Sequence, residues 1–483
     1  MKRQVLILCL ALLSAGVAAQ EVSTAKRVWT LKECVDQAVA NSLSIKRSSY
    51  SVESSKVDLK QSRMSMIPTL NGSASYGYNW GRSINPVTNL FTTQEINSNN
   101  LALQSSVTLF NGLRIQETIK QSKSTLAASE YDLAKTKNDV MLNVVTLYLT
   151  VVFNKELYQT AQLQLHSSQQ QFERTKKQVQ AGSLPKSDEL NLDAQVASNE
   201  LNLINRENAM NLSLLQLKQA MLVPAATDLD VEVPVLNAED MVLGASREEI
   251  FQTSLQVMPE IKSAELKIQS SIHSLRAAKG NLYPRLSFNG NITTNYSSAS
   301  DRSRFIPDGG SDIVPEQIGY VQGSNDPVLR DVSIPTGTTT DGYGRMDQFK
   351  DNVFRAVSLN LSIPIFNGLQ TRSSIQRAQI TSQQAEVNSM EVKNQLRQIV
   401  ETAYNDALAA SKTYNASQRQ VNSREEAFRM MKQRYELGAA NYVEYQVSEN
   451  DLFQAKSDLT RAKYDFIFKK KILDFYQGKP IEF

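Results

Sequence analysis

The chain has 483 residues, with 52 Lys and Arg against 49 Asp and Glu and two histidines. This near-neutrality argues against a nucleic-acid partner, which normally leaves a basic patch. Beyond the N-terminal segment the only cysteine is Cys34, so no intrachain disulfide holds the protein together.

Met1 to Ala19 reads as a secretory signal peptide. Lys2 and Arg3 form the basic start, Val5 to Leu13 the apolar stretch, and Val17-Ala18-Ala19 a small-residue cleavage site. That stretch is too short to span a bilayer as a helix. No later segment is continuously apolar over the length a membrane helix needs, so a membrane role falls to strands.

Thr30 to Met66 holds no glycine or proline and reads as one helix, ended by Pro68. Alternation follows. Leu70, Gly72, Ala74, Tyr76, Tyr78 and Trp80 share one face of a strand, against Asn71, Ser73, Ser75 and Asn79. Gly81 to Asn100 reads as a loop. A second strand sets Leu101, Leu103, Val107 and Leu109 against Gln104, Ser106 and Thr108. From Gly112 to Gly182 there is neither glycine nor proline, which predicts a helix of about 100 Å. A second helix, interrupted only by Pro185, runs toward Pro224 for about 60 Å. Helices this long pack as coiled coils, and Ile119, Leu126, Leu133, Val140 and Leu147 repeat by sevens. The run Val140 to Phe153 carries Asn143, Thr146 and Thr150 and reads as a buried helix.

The same order then returns. Leu109-Phe110-Asn111-Gly112-Leu113 recurs as Ile365-Phe366-Asn367-Gly368-Leu369, and Gln180-Ala181-Gly182 as Glu436-Leu437-Gly438, both 256 residues on. Asn41 to Lys46 matches Val257 to Lys262, and Ile67-Pro68 matches Tyr283-Pro284, both 216 residues on. The two offsets mean an internal duplication, with repeats over 20–240 and 241–483 and an insertion of 40 residues between Pro284 and Phe366. So long a period is no solenoid. In the second copy Leu286, Phe288 and Ile292 oppose Ser287, Asn289 and Asn291, and Val357, Leu359 and Leu361 oppose Ser358, Asn360 and Ser362. The heptad seam is less regular there: Ile375, Ser382, Ser389, Leu396 and Ala403. The stretch 297–353, rich in glycine and proline, reads as a long irregular outer loop.

These four strands have the length of tilted membrane-crossing strands, and Tyr76, Tyr78, Trp80 and Tyr296 sit where an aromatic girdle would lie. A soluble sheet packed on a core would alternate in the same way. The signal peptide and the uncharged polar faces favour the barrel. Four strands cannot close one, since the smallest membrane barrels have about 8, so closure needs several copies.

Gly182 and Gly438 supply the left-handed position that ends a helix and reverses the chain. Ser187 is expected to cap the helix that follows, with Asp188 and Glu189 in its first turn; Glu444 is the counterpart of Asp188. Two readings stand for these acids. They complement the helix dipole, or, in an oligomer, they converge as a carboxylate ring and form part of a gate. No HExxH, CxxC, GxSxG, P-loop or GxGxxG pattern is present, so no catalytic centre, metal or cofactor is expected. His166 and His273 read as solitary exposed histidines. Asp341, Asp347 and Asp351 fit no calcium loop and read as solvated.

Taken together, the signal peptide, the duplicated strand, strand, F-N-G-L and long helix, and the glycine turns followed by an acid at six residues resemble the TolC family of outer-membrane efflux proteins. The resemblance covers almost the whole chain beyond the signal. It implies a mainly α protein with membrane β: a homotrimer whose four strands per chain form a 12-stranded barrel in outer-membrane lipid, continued by an α-helical coiled-coil barrel across the periplasm. It implies a passive export duct, opened by a periplasmic adaptor protein and an inner-membrane transporter. It further implies that Tyr435 of the second turn bonds Asp188, the acid of the neighbouring first turn, that Gly182, Ser187 and Gly438 lie at the tip that meets the adaptor, and that Asn111-Gly112 and Asn367-Gly368 are strand-to-helix junctions. Val447 and Ala440 depart from the family example with a second acid and a basic partner in the second turn. The residues leave a second reading open, a non-conducting coiled-coil envelope scaffold or adhesin.

Overall fold

A computed structural model describes residues 27–84, 90–93, 95–233, 244–299 and 303–479. Met1 to Ala19, read as a signal peptide, lies outside the described residues. The chain divides into two compact units, one of residues up to 55, 125–268 and 385 onward, the other of 56–124 and 269–384.

The elements in order are β1 (Arg27–Trp29), α1 (Leu31–Asn41), α2 (Leu43–Met64), β2 (Thr69–Asn79), β3 (Arg82–Ile84), β4 (Phe91–Thr93), β5 (Ile96–Phe110), α3 (Arg114–Gln180), α4 (Lys186–Ala220), β6 (Leu229–Val231), α5 (Arg247–Val257), α6 (Pro259–Gly280), β7 (Arg285–Ser297), β8 (Ser303–Tyr320), β9 (Pro327–Asp341), α7 (Arg345–Asp351), β10 (Phe354–Ser362), α8 (Gln370–Glu436) and α9 (Tyr442–Tyr476). The long helices match in length: 67 residues for α3 and α8, 35 for α4 and α9.

The single helix expected over Thr30 to Met66 is two. The Thr30 hydroxyl and the Glu33 side chain form a capping box at the start of α1, which then stops at Ser42. In α5 Ser246 and Glu249 form the same box, and Met258 ends it before Pro259 opens α6. The break at Ser42 involves neither glycine nor proline, so composition could not reveal it. The expected loop over 81–100 contains the short pair β3–β4 and the start of β5. The expected irregular loop over 297–353 is largely ordered: β8 and β9 form a long antiparallel hairpin, and α7 follows. Two register shifts, at Pro307/Ser311 and Gln317/Gly319, let a proline-rich sequence keep its pairing.

In the first unit the apolar run of α3 is core. Val144, Val145, Tyr148, Val151 and Val152 are buried with Cys34, Leu217, Met221, Leu229, Val231 and Ile467. By length and composition α3 is apolar enough to cross a membrane, but this packing accounts for its apolarity. The Tyr148 hydroxyl donates to the Glu232 carbonyl at 2.6 Å, and Lys155 pairs with Asp230 at 2.8 Å, which pins the parallel pair β1–β6 to α3. Burial, then the charge of Glu33, pushes the Cys34 thiol up to about 12, so it is inert packing. A second cluster joins Ile250, Phe251, Met258, Leu396, Val400 and Leu473.

In the second unit four strands form an antiparallel sheet in the order β10-β7-β5-β2. The helices keep the same order. Ser62 of α2 bonds Ser122 of α3 at 2.8 Å, Glu117 of α3 bonds His273 of α6 at 2.7 Å, and Ser271 of α6 bonds Ser382 of α8 at 3.2 Å. His273 is therefore not the solitary exposed histidine its isolation in the sequence suggested; its partner is 156 residues away. Burial raises the Glu117 carboxyl, but hydrogen bonds from Lys120 and His273 outweigh it and hold the pKa below the usual carboxylate value. His166 is exposed, as expected, with Gln170 beside it at 2.9 Å.

Candidate functional site

Two features of the fold bear on function: the sheet with its strand-to-helix junctions, and the pair of helix turns.

The sheet has two unlike faces. Register brings Val357, Leu359 and Leu361 opposite Gly290, Phe288 and Leu286, then Val107 opposite Phe288 and Leu103 opposite Ile292 and Gly72. Leu103, Phe288, Ile292, Val357, Leu359 and Leu361 are exposed, Val357 keeping 75% of its surface and Leu359 60%, while Val107 and Leu286 are half-buried. The other face carries Ser358, Asn289 and Ser106 in one row and Asn360, Ser287 and Thr108 in the next. The Ser106 hydroxyl donates to Asn289 at 2.7 Å. Arg285, at the start of β7, donates to Thr108 at 3.4 Å and adds one charge to a face expected to have none. At one end Tyr76 meets Tyr78 edge to face, with centroids 5.3 Å apart, and Tyr78 stacks on Trp80 at 6.0 Å. Among the described residues strands β2 and β10 each leave one edge unpaired.

At the junctions Gly112 and Leu113 both have positive φ, 65° and 63°, as do Gly368 and Leu369, 59° and 65°. Consecutive left-handed residues turn a strand sharply into a helix, and a leucine accepts that conformation only under constraint. Asn111 helps fix the first junction: its carbonyl accepts from Arg114 N–H at 3.3 Å and its side chain from Ile115 N–H at 3.4 Å. The Asn367 amide bonds the Thr371 hydroxyl at the second.

The helix turns lie in the first unit. Gly182 and Gly438 have φ of 75° and 72°. Gly182 N–H bonds the Val179 carbonyl and Ser183 N–H the Gln178 carbonyl; Gly438 and Ala439 repeat this on Tyr435 and Arg434. These are paired Schellman bonds, which satisfy carbonyls a helix end would otherwise leave open.

The following helices start differently. Asn441 caps α9, its side chain accepting from Glu444 N–H at 2.9 Å, and Glu444 itself is exposed. Helix α4 has Pro185 at its cap and no side-chain cap bond, which corrects the expectation for Ser187. Pro185 is already extended there, with φ of −75° and ψ of 152°, so the helix begins one residue later and Ser187 falls inside its first turn. The Ser187 hydroxyl reaches only Asp188, at 3.4 Å.

Behind the turns Leu192, Tyr442 and Tyr445 are buried, with Phe172, Phe428, Met431 and Tyr435 against them. The Tyr435 ring lies 4.9 Å from that of Tyr445, and its hydroxyl accepts from Gln171 at 3.4 Å. Within the chain Tyr435 and Asp188 are thus not joined. Burial, then the nearby Glu449, Tyr435 and Asp188, raises the Tyr442 hydroxyl. Sequence reading missed Gln171, Ser167 and Glu449; the seam Tyr442, Tyr445, Glu449 and Leu452, spaced by three and four, was the available signal. Among the described residues no group of three or more His, Cys, Asp or Glu is placed to hold a metal ion, and Asp347 accepts from Gly344 N–H at 3.2 Å at the start of α7.

Comparison with known proteins places this geometry. The profile of the family described as outer membrane efflux protein matches residues 34–221 and 250–467. The chain is 21% identical over 468 residues to outer membrane protein TolC of Escherichia coli, covering 94% of this chain and 83% of that one. Among solved structures it superposes on CusC with a TM-score of 0.72 at 17% identity, covering 93% and 92% of the two chains. It superposes on the outer membrane protein VceC of Vibrio cholerae with a TM-score of 0.72 at 14% identity, covering 94% and 97%. At these identities the likeness is one of fold.

Proposed function

The chain belongs to the outer membrane efflux protein family, and on that premise we propose that it is the outer-membrane duct of an export system, conducting passively and gated at the helix turns. It resides in the outer membrane, as its family does.

The observation that carries the proposal is the sheet. One face is apolar and exposed, the other is a ladder of Ser, Thr and Asn, and both edges are open. Open edges are not tolerated in lipid, so the sheet requires other copies of itself. Three copies give a 12-stranded barrel with a wet interior. The equal helices of the two halves, 67 and 35 residues each, support an internal duplication over 20–240 and 241–483 and a quasi-symmetric helical barrel continuing the duct.

In this reading Asp188, Tyr435 and Glu444 form the periplasmic gate, with the Tyr435 hydroxyl bonding Asp188 of the neighbouring first turn when the tip is closed. Gly182, Ser187 and Gly438 form the surface that meets a periplasmic adaptor, which an inner-membrane transporter drives. Asn111, Gly112, Asn367 and Gly368 hold the strand-to-helix junctions.

Single-channel conductance in a planar bilayer tests this, beside Asp188→Ala and Tyr435→Phe. Small cation-selective openings that enlarge in both variants are expected. Conduction indifferent to both changes moves the gate elsewhere, and no conductance in any form favours a scaffold or adhesin.

A further inference from the structure

Glu449 keeps only 9% of its surface, yet it carries a carboxyl group. It occupies a seam position of α9 between Tyr445 and Leu452, where a coiled coil places apolar side chains. A buried carboxylate is costly unless paired. Here the Ser167 hydroxyl of α3 donates to its Oε1 at 2.7 Å, and the Tyr445 hydroxyl approaches the same oxygen at 3.5 Å. Its neighbours also reach across. The Gln446 amide bonds Gln195 of α4, and Asn450 accepts from Gln164 of α3 at 3.4 Å. Within about one turn of α9, three polar side chains bridge to both helices of the other hairpin, and the middle one titrates. The facing surface of α3 is polar as well, with Ser168, Gln171 and Thr175 all buried.

We propose that Glu449 is a positioning residue of the gate: it clasps the α8–α9 hairpin to the α3–α4 hairpin, and a proton on its carboxyl sets how readily the two part. This rests on the reading of the turns as the gate.

The charged groups around the clasp define its sign. Lys432 of α8 favours the ionised carboxylate, as do the bonds from Ser167 and Tyr445, but burial is the larger effect and raises the carboxyl above its usual value. Arg174 of α3 acts on Tyr445, one seam position away, and Asp188 of α4 on Tyr442, two away. Parting the hairpins wets Glu449 and returns it to the ordinary carboxylate range. The clasp is therefore at full strength below that range and weakens as pH rises through the raised value. Acid tightens it and alkali loosens it, by up to about tenfold in the opening equilibrium per pH unit.

Amide hydrogen exchange of the full-length protein in lipid, corrected for intrinsic exchange rates, reads this directly. In the wild type, protection of segments 446–452 and 164–168 should fall with rising pH across the titration, by up to about tenfold per unit. Glu449→Gln should hold the acid-level protection at every pH. Ser167→Ala should lower protection throughout and keep a slope. A wild type without slope, or a slope that survives Glu449→Gln, overturns the proposal. In bilayers, conductance should rise with pH in the wild type and stay flat in Glu449→Gln. Exchange is read without conduction. A protein with the expected slope but no current overturns the duct and leaves the clasp, whereas a conducting protein whose slope survives Glu449→Gln does the reverse.

Discussion

In the four-stranded sheet apolar side chains lie exposed and polar ones bond one another across the strands; around the helix turns polar side chains are buried and face the opposite hairpin. Leu103, Phe288, Val357 and Leu359 are exposed in the chain, whereas Ser168, Gln171, Thr175 and Glu449 are buried. Leaving a large apolar side chain wet forfeits about 1.5–3 kcal/mol each, so a whole exposed face points to a partner outside the chain. The bonds that cross the buried seam, Ser167 to Glu449 and Gln171 to Tyr435, have both partners inside the chain, and water can replace each at little net loss when the seam opens. The first region is incomplete until it assembles; the second is complete but poised to separate.

The sharpest way to break this contrast is to exchange chemistry across the sheet. Leu359 faces Phe288 on the apolar side, and Asn360 faces Ser287 on the polar side. Leu359→Arg should cost about 2–4 kcal/mol if the side chain meets lipid near the midplane. It should abolish the SDS-resistant oligomer on an unboiled gel, while Asn360→Arg keeps it. Equal tolerance of both changes would mean the apolar face is not lipid-facing.

A smaller difference is expected between the two junctions. A β-carbon on Gly112 would lie 2.3 Å from the Gly280 carbonyl and 2.8 Å from the Tyr283 β-carbon, at a φ of 65°, whereas one on Gly368 meets nothing. Gly368→Ala pays only for the left-handed backbone, about 1–2 kcal/mol. Gly112→Ala adds a clash with backbone that cannot move aside cheaply. Thermal unfolding should therefore separate the two variants, with Gly112→Ala the less stable. Equal midpoints would show that the two junctions are equally open.

The features legible in the sequence are those with local causes. Alternation gave the four long strands, and freedom from glycine and proline gave the long helices. The left-handed glycines at 182 and 438 marked the turns because no other residue type adopts that backbone as readily. What escaped depends on partners remote in sequence. The three-residue strands β1 and β6 exist because they pair with each other some 200 residues apart. The β8–β9 hairpin hides behind glycines and prolines that normally mark loops, and its register shifts absorb them. His273 reads as solitary until Glu117 is brought beside it, and nothing in the sequence near Glu449 points to Ser167. Equivalent positions in the two copies need not act alike: Asn441 caps its helix with a side chain, whereas Pro185 opens the other without one, and Ser187, a cap by residue type, lies inside the turn.

That last difference yields the smallest prediction and sharpens the contrast between the turns themselves. Asn441→Ala removes the bond that Glu444 N–H makes to the cap, a loss of about 1 kcal/mol of local helix stability. Ser187→Ala removes no cap, because Pro185 sets the start of α4 by its fixed φ and the Ser187 hydroxyl bonds Asp188 and no helix N–H among the described residues. Hydrogen exchange in the first turn of each helix should quicken about fivefold in Asn441→Ala, the equivalent of about 1 kcal/mol, and stay unchanged in Ser187→Ala. If Ser187→Ala also quickens exchange, the serine contributes to the cap after all and the two turns are alike. If neither variant responds, packing of the tyrosines behind the turns, and not capping, holds both helix starts in place.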